Sequence, residues 1–165
     1  MSVLPIRMIG DPVLRQTCRE LSREELSSDE TQGFIDDLIE TMHAANGAGI
    51  AAPQAGRPLA VAVVHVQDNP RYPYKPNIPL TVFVNPRITF LTEETESMYE
   101  GCLSVPDVRG RVDRCMHIRI DAWDRRGNPL SLEVRGLTAG TYQHEFDHLQ
   151  GMLFVDRVTD ASTFS

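Results

Sequence analysis

The residues with the clearest capacity for chemistry form one short run, His144-Glu145-Phe146-Asp147-His148. On a helix, positions i and i+4 share a face, so the two imidazoles can reach one ion. Glu145 lies between them and is placed to take a proton from a water bound to that ion. The same pattern also arises by chance on exposed helix faces, so the run indicates a metal site without establishing one.

A cysteine flanked by glycine supplies the ligand that this helix lacks. A catalytic site of the zinc type uses three protein ligands and keeps one open position. Cys102, in the run Glu100-Gly101-Cys102-Leu103-Ser104, completes the set as a thiolate, although a lone cysteine is more often a small buried hydrophobe. Cys18 and Cys115 are alternatives, but neither has a neighbouring glycine to open the backbone. A thiolate with two imidazoles suits zinc or ferrous iron.

A third run is rich in small residues and reads Gly47-Ala48-Gly49-Ile50-Ala51-Ala52-Pro53-Gln54. Its glycines let backbone N–H groups approach a ligand closely. The Gln54 amide is a neutral donor that could stabilise a developing oxyanion. A helix end that runs into a tight turn explains the same residues equally well.

Length and composition indicate one globular domain over residues 1–165. The chain is 41% hydrophobic and 24% charged, with a net charge of −7. Because phosphate binding needs a concentrated basic surface, we expect no direct nucleic-acid binding. No apolar stretch reaches the roughly 18 residues of a membrane span, and the N-terminus lacks the pattern of a signal peptide. Three widely spaced cysteines indicate reduced thiols, so we expect a cytoplasmic protein with no membrane association.

The elements that must position these residues follow from hydrophobic periodicity. Helical spacing predicts a long N-terminal helix over residues 28–46, ended by Gly47, and a second helix over 137–150, ended by Gly151. Apolar runs and alternation predict strands over residues 59–66, 80–85 and 116–123 and a hairpin partner at 130–134, after a short lead-in at 11–19. The predicted fold class is α+β, with antiparallel β-strands packed around a central metal-bearing HExxH helix.

The segment 68–79 carries a proline at every third residue from Pro70 to Pro79. That spacing predicts an extended, polyproline-like loop. We expect a rigid loop without influence on substrate choice, so that deletion of residues 71–75 changes peptide preference little. The alternative is a lid that narrows the choice of substrate.

Together, the three runs closely resemble the peptide deformylase family. That family has a glycine-alanine run ending in Pro-Gln or a similar pair, a Glu-Gly-Cys-Leu-Ser run, and a helix with Gln-His-Glu-x-Asp-His-Leu. All three occur here in that order and at family-sized intervals, and the resemblance extends back to Asp11-Pro12-Val13-Leu14-Arg15. Three motifs in order are far more specific than the metal helix alone.

The resemblance implies a role for each matching residue. Cys102, His144 and His148 would bind the metal, and Glu145 would be the general acid and base. The oxyanion would be bound by Gln54 and the backbone N–H of Leu103. Gly49 and Arg109 would hold the substrate backbone, and the pocket for the methionine side chain would involve Met98, Glu100, Ala48, Leu137 and Thr141.

The resemblance also implies the reaction and the partners. The enzyme would hydrolyse the formyl group from N-formylmethionine at the start of newly made polypeptides and release formate. One divalent ion would be the cofactor, ferrous iron by preference, with Zn²⁺, Ni²⁺ or Co²⁺ able to replace it. We expect a monomer that meets the ribosome transiently. Some members dock there through a basic terminal helix, which is in doubt here because Arg157 is the only basic residue after Gly151.

Three alternatives stay open on the sequence. A zinc endopeptidase shares the metal helix, but Phe154 stands where one class has its third histidine, and no Glu follows Glu145 for the other class. A structural zinc site would need a fourth ligand such as Cys115 or His117. A deformylase that is inactive, or narrowed to another formylated amine, is opposed by the intact catalytic positions.

Overall fold

The structure is a computed structural model that describes residues 2–165. It contains three α-helices, α1 (Arg23–Ser27), α2 (Asp29–Ala44) and α3 (Gly136–Leu149). Seven β-strands are present in this part of the chain: β1 (Gly49–Ala51), β2 (Val61–Val66), β3 (Ile78–Phe90), β4 (Thr95–Cys102), β5 (Val105–Cys115), β6 (His117–Trp123) and β7 (Pro129–Arg135). Short 3₁₀ turns occur at Pro12–Arg15, Ala52–Ala55, Phe154–Asp156 and Ala161–Thr163.

The larger sheet is antiparallel throughout, with the strand order β1-β2-β3-β6-β7. Strand β2 is buried on both faces because its side chains alternate between two cores. Val61 and Val63 pack with the apolar face of α2, whereas Ala62 and Val64 pack with residues of α3 such as Tyr142. The two helices therefore cover opposite faces of the sheet, and β2 fixes α3 in place.

A second sheet, β4 with β5, carries the cysteine run. The strands are joined by a two-residue turn, because Cys102 pairs with Val105. The register is regular from Thr95 to Glu100, which pairs with Gly110, and then shifts. The next pair joins Cys102 to Val105, so two residues of β4 correspond to five residues of β5. Helix α3 contacts strands of both sheets, so it lies where the two sheets meet.

The α+β class with antiparallel sheets is confirmed. Both long helices and the β6–β7 hairpin lie within two residues of their predicted bounds, and β3 is longer than predicted. The left-handed residue after α2 is Asn46, with φ 54°, and not Gly47 as predicted. A Cβ at position 47 would lie 2.8 Å from Leu103 Cδ1, so the leucine side chain would have to shift. No helix in residues 2–165 is long and apolar enough to cross a membrane.

The prediction of an extended polyproline-like loop over residues 68–79 is wrong. The segment folds into turns, with Tyr72 N donating to Asn69 O at 3.2 Å and Lys75 N donating to Tyr72 O at 3.1 Å. The Asn69 side chain stabilises the first turn by accepting from the backbone N–H groups of Arg71 and Tyr72. The segment stays largely exposed, but Asn69, Tyr72 and Ile78 are buried and attach it to the rest of the protein.

Candidate active site and metal centre

Three predicted metal ligands converge at the junction of β4 and α3. Ligand atoms of Cys102, His144 and His148 all lie within 4.8 Å of one another. Cys102 Sγ is 3.4 Å from His148 Nε2, and both residues are buried. The helical spacing of four residues presents the two imidazoles on one face, with ring centres 5.0 Å apart. The donor set of one sulfur and two nitrogens fits a divalent transition metal.

A network of buried charges orients His144 through its Nδ1 atom. Its Nδ1 pairs with Glu100 Oε1 at 2.9 Å, which turns Nε2 towards the thiol. Arg114 Nε and Nη2 donate to the same carboxylate at 2.6 and 2.8 Å, and Arg114 Nη1 donates to Asp147 at 2.7 Å. Asp147 also accepts from Arg157. Hydrogen bonds of this kind fix the ring orientation of a histidine ligand and make it more basic.

The surroundings of Cys102 favour the thiolate form of its side chain. Burial alone would raise the pKa of Cys102, but the charge of His148 and hydrogen bonds from His144 and His148 hold it well below its ordinary value. Burial opposes the charged form of His144, yet hydrogen bonds to Cys102 and Glu100 raise its pKa well above the ordinary value. The Glu100 carboxyl is also buried, but Arg114 and His144 lower its pKa to about 2. A cation is therefore favourable at this point.

Glu145 lies beside the three ligands with its carboxylate pointing into the cleft. It is buried, and its Oε1 has no hydrogen-bond partner among the described residues. Burial raises its pKa, in spite of the nearby His144 and His148. A Cβ at position 49 would lie 2.6 Å from Glu145 Oε2, so Gly49 is the residue that admits this carboxylate. A buried carboxylate oxygen without a partner is suited to accept a proton from a ligand.

The predicted oxyanion donors also border the cleft. Gln54 is buried, and its Nε2 donates to Ser104 Oγ at 3.0 Å and lies 3.7 Å from Cys102 Sγ. Its Oε1 accepts from Ala51 N at 2.9 Å, which holds the amide in this orientation. Leu103 is in the turn between β4 and β5 and lines the cleft.

The structure brings most of the predicted substrate residues to one cleft. These are Ala48, Gly49, Met98, Glu100, Leu137 and Thr141. Glu100 lines the cleft, but its carboxylate is bound to Arg114 and His144, so its contribution to the side-chain pocket is its aliphatic part. Arg109 lies in an adjoining cavity with Leu103, and its side chain covers Gly101.

The residues that line the cleft but that the sequence did not single out include Tyr72 and Lys75. Both come from the proline-containing segment. Lys75 Nζ donates to Thr141 Oγ1 at 3.0 Å, which joins this segment to α3 across the cleft. Lys75 is the only lysine of the chain, but no periodicity or motif connects it with the metal helix.

Among the described residues, Cys102, His144 and His148 are the one group of three or more His, Cys, Asp or Glu side chains that could hold a metal ion. The two suggested fourth ligands are engaged elsewhere. Cys115 Sγ donates to the Thr92 and His117 carbonyls, and His117 Nε2 is 3.3 Å from Glu133. A closed structural zinc site with four protein ligands is therefore not supported.

Comparison with known proteins agrees with this geometry. The family model described as polypeptide deformylase matches residues 3–163. The chain belongs to the peptide deformylase family. It is accordingly a metal-dependent hydrolase that removes the formyl group from N-formylmethionine peptides.

Related proteins match this deformylase over almost their whole length. Peptide deformylase 1 of Nitrosomonas europaea is 40% identical over 162 residues, which cover 98% of this chain and 91% of the relative. Peptide deformylase 2 of Nostoc is 42% identical over 156 residues, covering 94% and 86%. A class I type b peptide deformylase from Acinetobacter baumannii, solved with Met-Ala-Ser bound, superposes with a TM-score of 0.91 at 39% identity and covers 96% of this chain and 100% of that one.

Proposed function

We propose that Cys102, His144 and His148 hold one divalent ion and that Glu145 carries the proton in the deformylation reaction. The observation that carries this assignment is the convergence of the three ligand atoms within 4.8 Å, next to the buried and unpartnered Glu145 Oε1. The HExxH helix α3 is thus the metal-bearing helix around which the two sheets pack.

The remaining residues bind and orient the peptide. A divalent ion held by Cys102, His144 and His148 would supply Lewis-acid chemistry at the formyl group. Glu145 would accept a proton from the attacking water and deliver it to the departing amine, for which its raised pKa is suited. The Gln54 amide and the Leu103 N–H stabilise charge on the formyl oxygen. Gly49 and Arg109 hold the peptide backbone, while the methionine side chain lies against Met98, Ala48, Leu137, Thr141 and the stem of Glu100.

We favour ferrous iron as the native ion, with Zn²⁺, Ni²⁺ or Co²⁺ as substitutes. The resemblance to the family supports the preference for iron, and the mixed sulfur and nitrogen donor set is compatible with all four ions. We further propose a monomer that acts on chains as they leave the ribosome in the cytoplasm. The place of action is supported by the substrate, since the formyl group is present on newly made polypeptides.

The first experiment measures formate release from formyl-Met-Ala-Ser by protein loaded without oxygen with Fe²⁺ or Ni²⁺. Met-Ala-Ser, which deformylation would leave, is the peptide bound in the Acinetobacter baumannii relative. We expect release that Glu145→Gln abolishes while metal content is unchanged. The matched control is Glu133→Gln, the same change at a glutamate that is 61% exposed on β7, and it should retain full activity.

The roles of the ligands are tested separately by metal content. Cys102→Ser should lower the stoichiometry of bound metal, whereas Cys115→Ser should not, because Cys115 lies outside the site. Unchanged metal in Cys102→Ser would refute the ligand assignment. Release of formate by Glu145→Gln at the original rate would refute the assigned proton carrier.

A further inference from the structure

Three positively charged side chains surround the ring of Tyr72 at the mouth of the cleft. The guanidinium carbons of Arg71 and Arg109 lie 5.5 and 5.3 Å from the ring centre, and Lys75 Nζ lies 4.8 Å from it. We call these four residues the Tyr72 cluster. Cations over an aromatic face are attracted to it, and this attraction offsets part of their mutual repulsion.

The three cations of the cluster have no carboxylate partner in the part of the chain that the structure describes, a property that they share with Arg23, Arg111, Arg126 and Arg135. Nine arginines in residues 2–165 form ion pairs with carboxylates, whereas Arg71, Lys75 and Arg109 form none within 4.0 Å. The chain carries a net charge of −7, so acidic groups are abundant. Three cations that converge on one ring repel one another, and an anion that lay beside them would offset this repulsion.

The cluster is continuous with the site of hydrolysis. Tyr72 and Lys75 line the same cleft as Cys102 and Glu145. Arg109 Nη2 donates to Arg71 O at 3.2 Å, and Arg71 and Arg109 line the adjoining cavity. A peptide with its formylated end at the metal must leave the cleft, and the cluster lies along its border.

We propose that the Tyr72 cluster selects formylated peptides that carry an aspartate or glutamate at the second or third position. The inference rests on the proposed function, because it takes the formylated residue to be held at the metal. A carboxylate on one of the next residues would complete the charge balance that the protein leaves open. The cluster is small and lies beside an interior cleft of an acidic chain, which favours a peptide carboxylate over an extended nucleic-acid backbone.

The proposal replaces the expectation that this segment is inert, and kinetics on matched peptides test it. The substrates are amidated at the C-terminus to remove that carboxylate: formyl-Met-Ala-Ser, formyl-Met-Glu-Ser, formyl-Met-Ala-Glu and the two lysine counterparts. At low salt we expect kcat/KM to favour glutamate over lysine about tenfold at one of the two positions, a ratio that corresponds to about 1.4 kcal/mol. Added salt should reduce the ratio.

Two variants connect the preference with the cluster. Arg71→Gln and Lys75→Met should each lower the ratio of glutamate to lysine, since each removes one charge at similar side-chain length. Arg126→Gln, the same change at an exposed arginine in the turn between β6 and β7, should leave the ratio as it is. A ratio near one in the native protein, with the neutral peptide hydrolysed, would overturn the proposal but leave the function intact.

A second readout does not depend on activity. Because Lys75 is the only lysine, an amine-reactive reagent followed by peptide mapping reports on its side chain alone. We expect Met-Glu-Ser amide to protect Lys75 from labelling at lower concentration than Met-Lys-Ser amide does. Equal protection would contradict the proposal, even if no peptide were hydrolysed. Loss of RNA-oligonucleotide binding in Arg71→Gln and Lys75→Met, with an unchanged peptide ratio, would likewise overturn it.

Discussion

Replacement of Arg114 by methionine tests the buried charges behind the metal centre. The guanidinium is 3% exposed and bridges two carboxylates, Glu100 and Asp147. Removal of one partner from a buried ion pair destabilises a protein by about 3–5 kcal/mol, because the other charge stays buried without compensation. Asp147 keeps its bonds to Arg157, so most of the cost falls on Glu100.

The lowered pKa of Glu100 gives the size of this destabilisation in a second way. The change from its ordinary 4.5 to about 2 corresponds to about 3 kcal/mol, at 1.36 kcal/mol per pH unit. His144 accounts for part of this lowering of the pKa. Arg114→Met should therefore lower the free energy of unfolding by about 3 kcal/mol, which is near the lower end of the range for a broken buried ion pair. In a domain of this size that is a fall in melting temperature of about 6–12 °C.

The assay is urea and thermal unfolding of metal-free protein at neutral pH, so that metal binding does not enter. The control is Arg119→Met, whose ion pair with Asp121 is exposed, with 43% and 46% of the two side chains accessible. That pair should contribute less than about 1 kcal/mol. A loss of stability in Arg114→Met no larger than in the control would refute the reasoning.

The pKa of Glu100 also determines the direction in which stability changes with pH. The pKa of Glu100 is lowered in the folded protein, so its contribution to stability is present above 4.5 and is lost as the pH falls towards about 2. The difference between native protein and Arg114→Met should therefore shrink over that window. A difference that stayed constant from pH 6 to pH 3 would show that Glu100 is not the source of the effect.

Three further predictions concern single groups. Glu100→Gln keeps an acceptor for His144 but removes the negative charge at position 100. It should weaken metal affinity about 10–100-fold in a chelator competition. An unchanged affinity would count against the role of Glu100 in orienting His144. Gly49→Ala places a methyl group on the Glu145 carboxylate and should lower kcat/KM about 100-fold with metal content preserved, so an active variant would contradict the packing. Burial raises the pKa of Cys18 to about 11, so at pH 8 its alkylation should be about 100-fold slower than that of a thiol of pKa 9 and should accelerate as the pH rises to 11, as followed by mass spectrometry.

Helices and strands whose hydrophobic residues recur at a regular spacing could be predicted from the sequence. In β6, Ile118 and Ile120 alternate with polar residues, and in α2 the apolar residues recur at helical spacing, so one buried face fixes each element. Strands β4 and β5 lack this signal, since β4 is mostly exposed and polar. They are formed by pairing with each other and by the core that includes Val112 and Phe154, and neither condition is visible locally.

The convergence of Cys102, His144 and His148 could be predicted because residue type and spacing carry the chemistry. His144 and His148 are neighbours on any helix, and a third ligand had to come from elsewhere. Lys75 shows the limit of this reasoning. Its position depends on turns held by the Asn69 side chain, and no pattern of residues near Lys75 indicates that its amine reaches Thr141.

The thiol and the imidazoles come from distant parts of the chain, and this separation has a consequence for folding. Cys102 at the end of β4 lies 46 residues before His148 on α3. Loops of this length close slowly, since their contacts are non-local. In an unfolded chain the ligands are far apart, so metal binds the native state preferentially and adds its binding free energy to folding, about 2.7 kcal/mol at a free concentration 100 times the Kd. Supply of the metal ion therefore governs the lifetime of the folded enzyme as well as its rate.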